Sequence, residues 1–332
     1  MKARKVTRMK AKAGWRNAAA ALPAVLLLLA LAACRGSGAD DGGSADPGTK
    51  ETKISKPALT FGLIYPMAHP FYEWITENAE KEAQRAGVQL VVKAPDEANL
   101  EQQIRMMETM IRQKVDAIAI DPVDSDALVP VIDKAVENGI PVLCFESDAP
   151  GSKRIAFVGT DQKQAGIRLG QILDKQLQGR GMVIAEAGMS RMESVRQRLD
   201  GLLSYLNENT GIQVLEVKFN EGSDAKALAD LENMIDAHPH FDAFVGLDAV
   251  SGPVSILVWK AQGLGRYALT FGVTEEIREA LNNGQITAAV SLNEAEMSRR
   301  IVQRLLDAAQ GRAVPPIDDT GYTEMDGPTQ PE

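Results

Sequence analysis

From residue 58 onward, short runs of β-branched and apolar residues alternate with longer stretches of helical periodicity. Ten runs predict strands, at Leu59–Tyr65, Val88–Lys93, Val115–Ile120, Ile140–Phe145, Ile155–Val158, Met182–Glu186, Val214–Phe219, Ala243–Leu247, Ala268–Phe271 and Ile286–Ser291. Helices are predicted between them, at Phe71–Ala86, Asn99–Arg112, Ser125–Asn138, Gln162–Gln178, Glu193–Asn207, Asp224–Ala237, Ser255–Gln262, Glu275–Asn282 and Ala295–Ala309. This alternation implies parallel sheets with helices on both faces. Because ten strands are too many for one ordinary sheet, we expect an α/β fold with two doubly wound parallel-sheet lobes.

The segments that follow the predicted strands are rich in aromatic and acidic residues, at 67–72, 121–124, 146–148, 188–191, 220–224, 248–250 and 272–275. Ligands of open parallel sheets bind beyond the carboxyl ends of the strands. A carboxylate accepts two hydroxyl hydrogen bonds at once, and an aromatic ring covers the apolar C–H face of a sugar. These residue types therefore favour a small neutral polyol as the ligand.

The first 33 residues have the pattern of an export signal. Seven basic residues precede an uncharged stretch, Ala18–Ala33, which is interrupted by Pro23 and is short for a bilayer span. Leu31-Ala32-Ala33-Cys34 resembles a bacterial lipoprotein signal, in which the Cys34 thiol receives a lipid and becomes the mature N-terminus. We expect residues 1–33 to be cleaved and Cys34 to anchor the chain, through acyl groups such as palmitate. The alternative is an uncleaved membrane anchor with an incidental cysteine.

Residues 34–57 are rich in Gly, Ser, Asp and Lys, which predicts a flexible tether. The whole chain has a formal net charge of −9, and the leader holds seven basic residues and no acidic ones. The part that follows the leader is therefore still more acidic, which argues against nucleic acid as a partner. With Cys34 lipidated, Cys144 is left without a disulfide partner, and its apolar surroundings predict a buried, unreactive thiol.

Several short motifs occur in an ordered set that resembles the periplasmic sugar-binding proteins of the ribose/galactose type. They are His69-Pro70-Phe71-Tyr72, Ala119-Ile120-Asp121-Pro122-Val123-Asp124, Asn138-Gly139-Ile140-Pro141-Val142, Phe145-Glu146-Ser147-Asp148-Ala149-Pro150, Val158-Gly159-Thr160-Asp161, Ala237-His238-Pro239 and Asn283-Gly284-Gln285-Ile286. The resemblance implies the type I periplasmic binding protein fold, with two lobes joined by a three-crossing hinge. It places lobe 1 at 58–160 plus 293–318 and lobe 2 at 161–292 plus 319–332.

The resemblance also assigns a set of ligand-binding positions. The stacking pair falls on Phe71 and Tyr72, and the remaining principal contacts fall on His69, Glu146, Arg196 and Asp248. Weaker candidates are Asp121, Ser147, Gly272 and Asn293. Two positions depart from the family pattern, because Gly272 and Leu292 stand where Asp and Gln are expected. These departures weaken a ribose assignment and favour another sugar, a sugar derivative or a less hydroxylated molecule.

The resemblance implies a monomer that captures a small solute and delivers it to an ABC permease. We expect it to be extracytoplasmic, at the outer face of the cell membrane or its periplasmic side. One alternative is a sensor that reports the bound state to a membrane receptor. Another is an exported carbohydrate-active enzyme that uses Glu146 and Asp248 as paired carboxylates. We expect binding without catalysis and without a cofactor. We also expect no metal, because His238 and His240 lie at a helix-to-strand turn away from the strand ends.

Overall fold

The computed structural model describes residues 58–327. The predicted leader, the lipidation site Cys34 and the predicted tether lie outside these residues. In chain order the elements are β1 (Thr60–Ile64), α1 (Pro70–Ala86), β2 (Gln89–Lys93), α2 (Leu100–Gln113), β3 (Ala117–Ile120), α3 (Val129–Glu137), β4 (Val142–Phe145), β5 (Ala156–Gly159), α4 (Gln162–Leu177), β6 (Arg180–Ala187), α5 (Glu193–Asn209), β7 (Gly211–Phe219), α6 (Asp224–Ala237), β8 (Ala243–Gly246), α7 (Ser251–Gln262), β9 (Tyr267–Phe271), α8 (Glu275–Asn282), β10 (Ala288–Ser291), α9 (Glu294–Ala309), β11 (Ile317–Asp319) and β12 (Thr323–Asp326).

The strands form two six-stranded sheets with the same layout. The first has the order β2-β1-β3-β4-β5-β11, and all its pairs are parallel. The second has the order β7-β6-β8-β9-β10-β12, and only its last strand is antiparallel. In each sheet the order reverses beside its first strand, β1 or β6. The doubly wound prediction is confirmed, and the crevice for a ligand falls at these two switch points.

The chain passes between the two sheets three times. It leaves the first sheet after β5, returns after β10 to place α9 on β3, β4 and β5, and crosses again between β11 and β12. We call the half built on the first sheet lobe 1 and the half built on the second sheet lobe 2. Thr160 marks the first crossing, where its hydroxyl donates to the carbonyl oxygen of Gly321 at 2.8 Å, so two of the crossings are tied together.

All ten predicted strands are present, and two more, β11 and β12, were not predicted. These two are short and carry charged residues without the apolar runs that marked the other strands. The structure also corrects the start of α7, which begins at Ser251 and not at Ser255. Pro253 lies in the first turn of this helix, where proline is tolerated because its missing N–H has no helical partner.

The central strands of both sheets are fully buried, as expected for parallel strands covered on both faces. Cys144 lies on β4 with no exposed surface, and burial raises the pKa of its thiol. The predicted buried thiol is confirmed. Within residues 58–327, no helix combines the length and the apolar character needed to cross a bilayer.

Candidate ligand-binding site

A partly open cavity lies where the strand ends of lobe 1 face those of lobe 2, and it encloses about 500 Å³ of space, open solvent included. Small-molecule sites of parallel sheets commonly lie at such switch points. Its lining consists mainly of apolar side chains, with four polar ones. The lining residues are Met67, Phe71, Tyr72, Glu146, Gly188, Met189, Met192, Val195, Arg198, Asn220, Gly222, Asp248, Ala249, Val250, Phe271, Gly272 and Leu292.

The start of α1 places two aromatic rings on the lobe 1 side of the cavity. His69 is the N-cap of this helix, and its Nδ1 accepts a hydrogen bond from the N–H of Phe71 at 3.2 Å. Phe71 and Tyr72 follow Pro70 in the first turn, and their ring centroids lie 5.3 Å apart in an edge-on arrangement. Both predicted stacking residues therefore line the cavity.

Tyr72 also has a structural partner behind the cavity. Its hydroxyl donates to the Oδ2 atom of Asp121 at 2.9 Å, and its ring lies 4.9 Å from that of Tyr65. Asp121 accepts a second hydrogen bond, from the N–H of Ser147. Burial, together with the neighbouring carboxylate of Glu146, raises the pKa of Asp121 well above its ordinary value. Asp121 and Ser147 therefore lie behind the lining and support Tyr72 and the loop after β4.

Glu146 and Arg198 form a buried ion pair across the two lobes. Glu146 follows β4 in lobe 1 with a φ of 57°, and Arg198 lies on α5 of lobe 2. The Arg198 Nη2 group donates to Oε1 of Glu146, while the hydroxyl of Ser194 donates to Oε2 at 3.0 Å. Glu146 is 5% exposed and Arg198 is 3% exposed, so most water is excluded from their contact.

Three further contacts hold the Arg198 guanidinium in place. Its Nε group donates to Gln162 at 2.7 Å, its Nη1 group donates to the carbonyl oxygen of Leu247 at 3.0 Å, and its Cζ atom lies 5.1 Å from the ring centre of Phe271. A Cβ atom built at Gly166 of α4 would lie 2.1 Å from the carbonyl oxygen of Arg198. Only glycine permits this approach of α4 to α5, so helix packing fixes which side of α5 faces the cavity.

Asp248 follows β8 and is held by its own loop. Its Oδ1 atom accepts hydrogen bonds from the backbone N–H groups of Val250 and Ser251, each at 2.7 Å. Its Oδ2 atom accepts one from the side chain of Asn220 at 2.8 Å. Burial nevertheless raises the pKa of Asp248 above its ordinary value, because these hydrogen bonds offset only part of the desolvation.

The two departures from the family pattern make part of the cavity apolar. Leu292 is 2% exposed and lines the floor near the second crossing. Gly272 has a φ of 77°, and a Cβ atom built there would lie 3.3 Å from the ring of Phe71. A side chain at Gly272 would therefore be strained and would crowd the aromatic wall.

The structure corrects the prediction that Arg196 reaches the ligand. Arg196 is not part of the cavity lining; it pairs with Glu193 at 2.5 Å, and its side chain is 40% exposed. Arg198, two residues later, is the arginine that lines the cavity. Helical periodicity in the sequence favours Arg198 as the inward-facing arginine, because Arg198 shares a helix face with Val195, Gly201 and Leu202, all of them buried.

Two other predicted residues lie outside the lining. His69 faces a separate rim pocket formed with Asp224, Leu257 and other residues of lobe 2, and burial lowers the pKa of its imidazole. Asn293 lies at the second crossing, where its side chain donates to the carbonyl oxygen of Thr320 at 2.9 Å. His69 therefore caps α1 and Asn293 joins two crossings.

Several lining residues were not among the predicted contacts. Asn220 lies in one of the strand-end segments identified from the sequence, so that pattern carried a signal for it. Met67, Met189 and Met192 also follow strands, but methionine alone does not distinguish a ligand contact from core packing. Among residues 58–327, no group of three or more His, Cys, Asp or Glu side chains is arranged to hold a metal ion.

Glu186 is a buried carboxylate beneath the Asp248 loop. It lies on β6, has no exposed surface, and neither carboxylate oxygen has a hydrogen-bond partner within the described residues. The nearby Ser251 hydroxyl hydrogen-bonds with Asp248. Burial, and then the charge of Asp248, raises the pKa of Glu186 to about 8. At neutral pH the Glu186 side chain is therefore largely protonated.

The sequence is similar to those of curated binding proteins. The chain is 23% identical over 266 residues to the ribose import binding protein RbsB of Bacillus subtilis, covering 78% of this chain and 85% of that protein. It is 28% identical over 239 residues to the D-ribose/D-allose-binding protein of Pseudomonas aeruginosa, covering 69% and 74% of the two chains.

Solved structures have a similar fold. The glucose-galactose binding protein GanP of Geobacillus stearothermophilus matches with a TM-score of 0.77 at 25% identity, over 83% of this chain and 100% of that one. A solute-binding protein of Burkholderia graminis in complex with D-arabinose matches with a TM-score of 0.77 at 27% identity, over 81% and 95%. The periplasmic binding protein domain matches residues 62–313, and the chain therefore belongs to the periplasmic binding protein family.

Proposed function

We propose that the protein captures a monosaccharide or a monosaccharide derivative between its two lobes and delivers it to an ABC importer. The observation that carries the proposal is the cavity at the switch points of both sheets, where two aromatic rings face a buried carboxylate–guanidinium pair. Aromatic rings cover the C–H face of a sugar, and a carboxylate with a guanidinium offers acceptors and donors to adjacent hydroxyls.

The relatives support this assignment. Their names describe import or binding of ribose and allose, and the related structure from Burkholderia graminis holds D-arabinose. Glu146 and Asp248 are engaged in hydrogen bonds within the protein, which favours binding over acid–base chemistry. We further propose that the protein is an extracytoplasmic monomer anchored by a lipid on Cys34, with the ligand-binding residues Phe71, Tyr72, Glu146 and Arg198.

The test is a thermal-shift screen of the whole chain, purified in detergent, against pentoses, hexoses and their derivatives. A ligand at about 100 times its Kd stabilises the folded state by about 2.7 kcal/mol, which raises the unfolding temperature measurably. Arg198→Met should abolish the shift, whereas the matched variant Arg196→Ala should retain it. If no sugar or derivative shifts the wild-type protein, the proposed function is wrong.

A further inference from the structure

The hydrogen-bonding capacity of the Asp248 side of the cavity is consumed by the protein. Both N–H bonds of the Asn220 amide are directed at Asp248 and Ser251, and its oxygen accepts from the N–H of Gly222 at 2.8 Å. Asp248 itself accepts from two backbone N–H groups, from Asn220 and from the Ser251 hydroxyl. A ligand hydroxyl placed here would find few polar atoms to pair with.

Unused hydrogen-bond donors and acceptors remain at one corner of the cavity, formed by Glu146 and Arg198. Arg198 has five N–H bonds and directs three of them at protein acceptors within the described residues. Each oxygen of Glu146 accepts one hydrogen bond, from Arg198 or Ser194, and a carboxylate oxygen can accept two. This corner therefore matches two adjacent hydroxyls, one of which donates to Glu146 while the other accepts from Arg198.

Another part of the lining is apolar and comes from both lobes. Met67 of lobe 1 and Met189 of lobe 2 meet over Gly222, where a Cβ atom would lie 2.8 Å and 3.6 Å from their sulfur atoms. Met192 and Leu292 are each 2% exposed and also line the cavity with apolar side chains. Thioethers are polarizable and flexible, so such a surface packs well against an alkyl or thioalkyl group.

We propose that the natural ligand is an amphipathic monosaccharide derivative, whose adjacent hydroxyls bind Glu146 and Arg198 and whose alkyl or thioalkyl substituent packs against Met67, Met189, Met192 and Leu292. This inference rests on the proposed function. A fully hydroxylated sugar would bury several hydroxyls against methionine and leucine without partners, which is unfavourable. An apolar substituent removes that conflict and buries its own surface.

The experiment compares matched sugars by isothermal titration of the whole chain in detergent. The pairs are D-galactose with D-fucose (its 6-deoxy form), D-galactose with methyl β-D-galactopyranoside, and D-ribose with methyl β-D-ribofuranoside. We expect the less polar member of at least one pair to bind at least about tenfold tighter than its parent. Tighter or equal binding of the parent in every pair overturns the ligand class while leaving sugar binding intact.

Two substitutions assign the preference to the apolar surface. Leu292→Gln adds a polar group to the floor and should reduce the preference at least about fivefold, while Leu292→Met should retain it. Met192→Gln, which changes another of the proposed contacts, should reduce it as well and serves if Leu292→Gln does not fold. A preference unchanged in folded Leu292→Gln or Met192→Gln overturns the proposed contacts. Absence of binding by every sugar and derivative contradicts the proposed function as well.

Discussion

Glu186→Gln tests whether the buried carboxylate beneath the Asp248 loop makes stability depend on pH. The Glu186 side chain has no exposed surface and no hydrogen-bond partner for either oxygen within the described residues. The groups that influence its charge are Asp248 after β8, Ser251 on α7, and Asp230 and Lys226 on α6. Of these only the Lys226 ammonium favours the charged carboxylate by Coulomb attraction, and it is paired with Asp230 at 2.5 Å.

The sign and size of the effect follow from the pKa. The pKa of Glu186 rises from an ordinary 4.5 to about 8 on folding. Between these values the folded protein holds a proton that the unfolded chain releases, so the free energy of unfolding falls as the pH rises. At about 1.4 kcal/mol for each pH unit, this single group lowers stability by about 4 kcal/mol between pH 5 and pH 8.5.

Glutamine has nearly the shape of a protonated glutamic acid and does not ionise. We therefore expect Glu186→Gln to unfold like the wild type near pH 5 and to be more stable by up to about 4 kcal/mol at pH 8.5. The measurement is urea unfolding followed by circular dichroism at several pH values between 5 and 9. Glu77→Gln, at an exposed position on α1, is the matched control and should show no such difference.

At each pH, the free energy of unfolding of the wild type is subtracted from that of Glu186→Gln. This difference isolates the titration of Glu186, because the other groups titrate in both proteins. A difference that does not grow with pH would refute the reasoning. It would mean that Glu186 is ionised in the folded state and has found partners other than those described. A constant loss of stability at every pH would also count against it, since that result indicates a packing defect.

Three further outcomes are expected. Tyr72→Phe removes the hydroxyl that donates to buried Asp121 and should lower the free energy of unfolding by about 1–3 kcal/mol in urea titrations. An unchanged free energy of unfolding would mean that this hydrogen bond does not stabilise the fold. Arg198→Met should destabilise by about 3–5 kcal/mol because Glu146 keeps a buried charge, and adding Glu146→Gln should restore part of this loss. Cys34→Ala should abolish incorporation of labelled fatty acid in cells, and labelling of that variant would contradict the anchor.

Much of the fold was predictable because its main signals are local. Each central strand is a short apolar run, and several helices begin or end at a recognisable cap, such as Ser223 before α6 and Gly87 after α1. The short strands β11 and β12 lacked such signals. Their pairing depends on neighbours distant in sequence, β5 and β10, and on the crossings that bring them together.

The site was predictable in outline and less so in detail. The strand ends located the segments that hold Phe71, Tyr72, Glu146 and Asp248, because the topology of a parallel sheet gathers these segments at one edge. The family resemblance then singled out these four residues. The choice between Arg196 and Arg198 depends instead on the rotation of α5 about its axis. That rotation is set by the glycine contact with α4, which becomes evident only when the two helices are packed.

Two parts of the lining span the lobes, and a ligand should satisfy both of them to favour closure. The polar corner joins Glu146 of lobe 1 to Arg198 of lobe 2, and the methionine pair brings Met67 of lobe 1 beside Met189 of lobe 2. A ligand shifts a conformational equilibrium only by the difference in its affinity for the two states. A molecule that meets only the polar corner leaves the methionine surface without a matching partner, so its affinity for the closed state rises less. Selectivity and closure therefore depend on the same contacts, and substitutions at Leu292 that reduce the preference for apolar substituents should also reduce ligand-induced compaction in small-angle scattering.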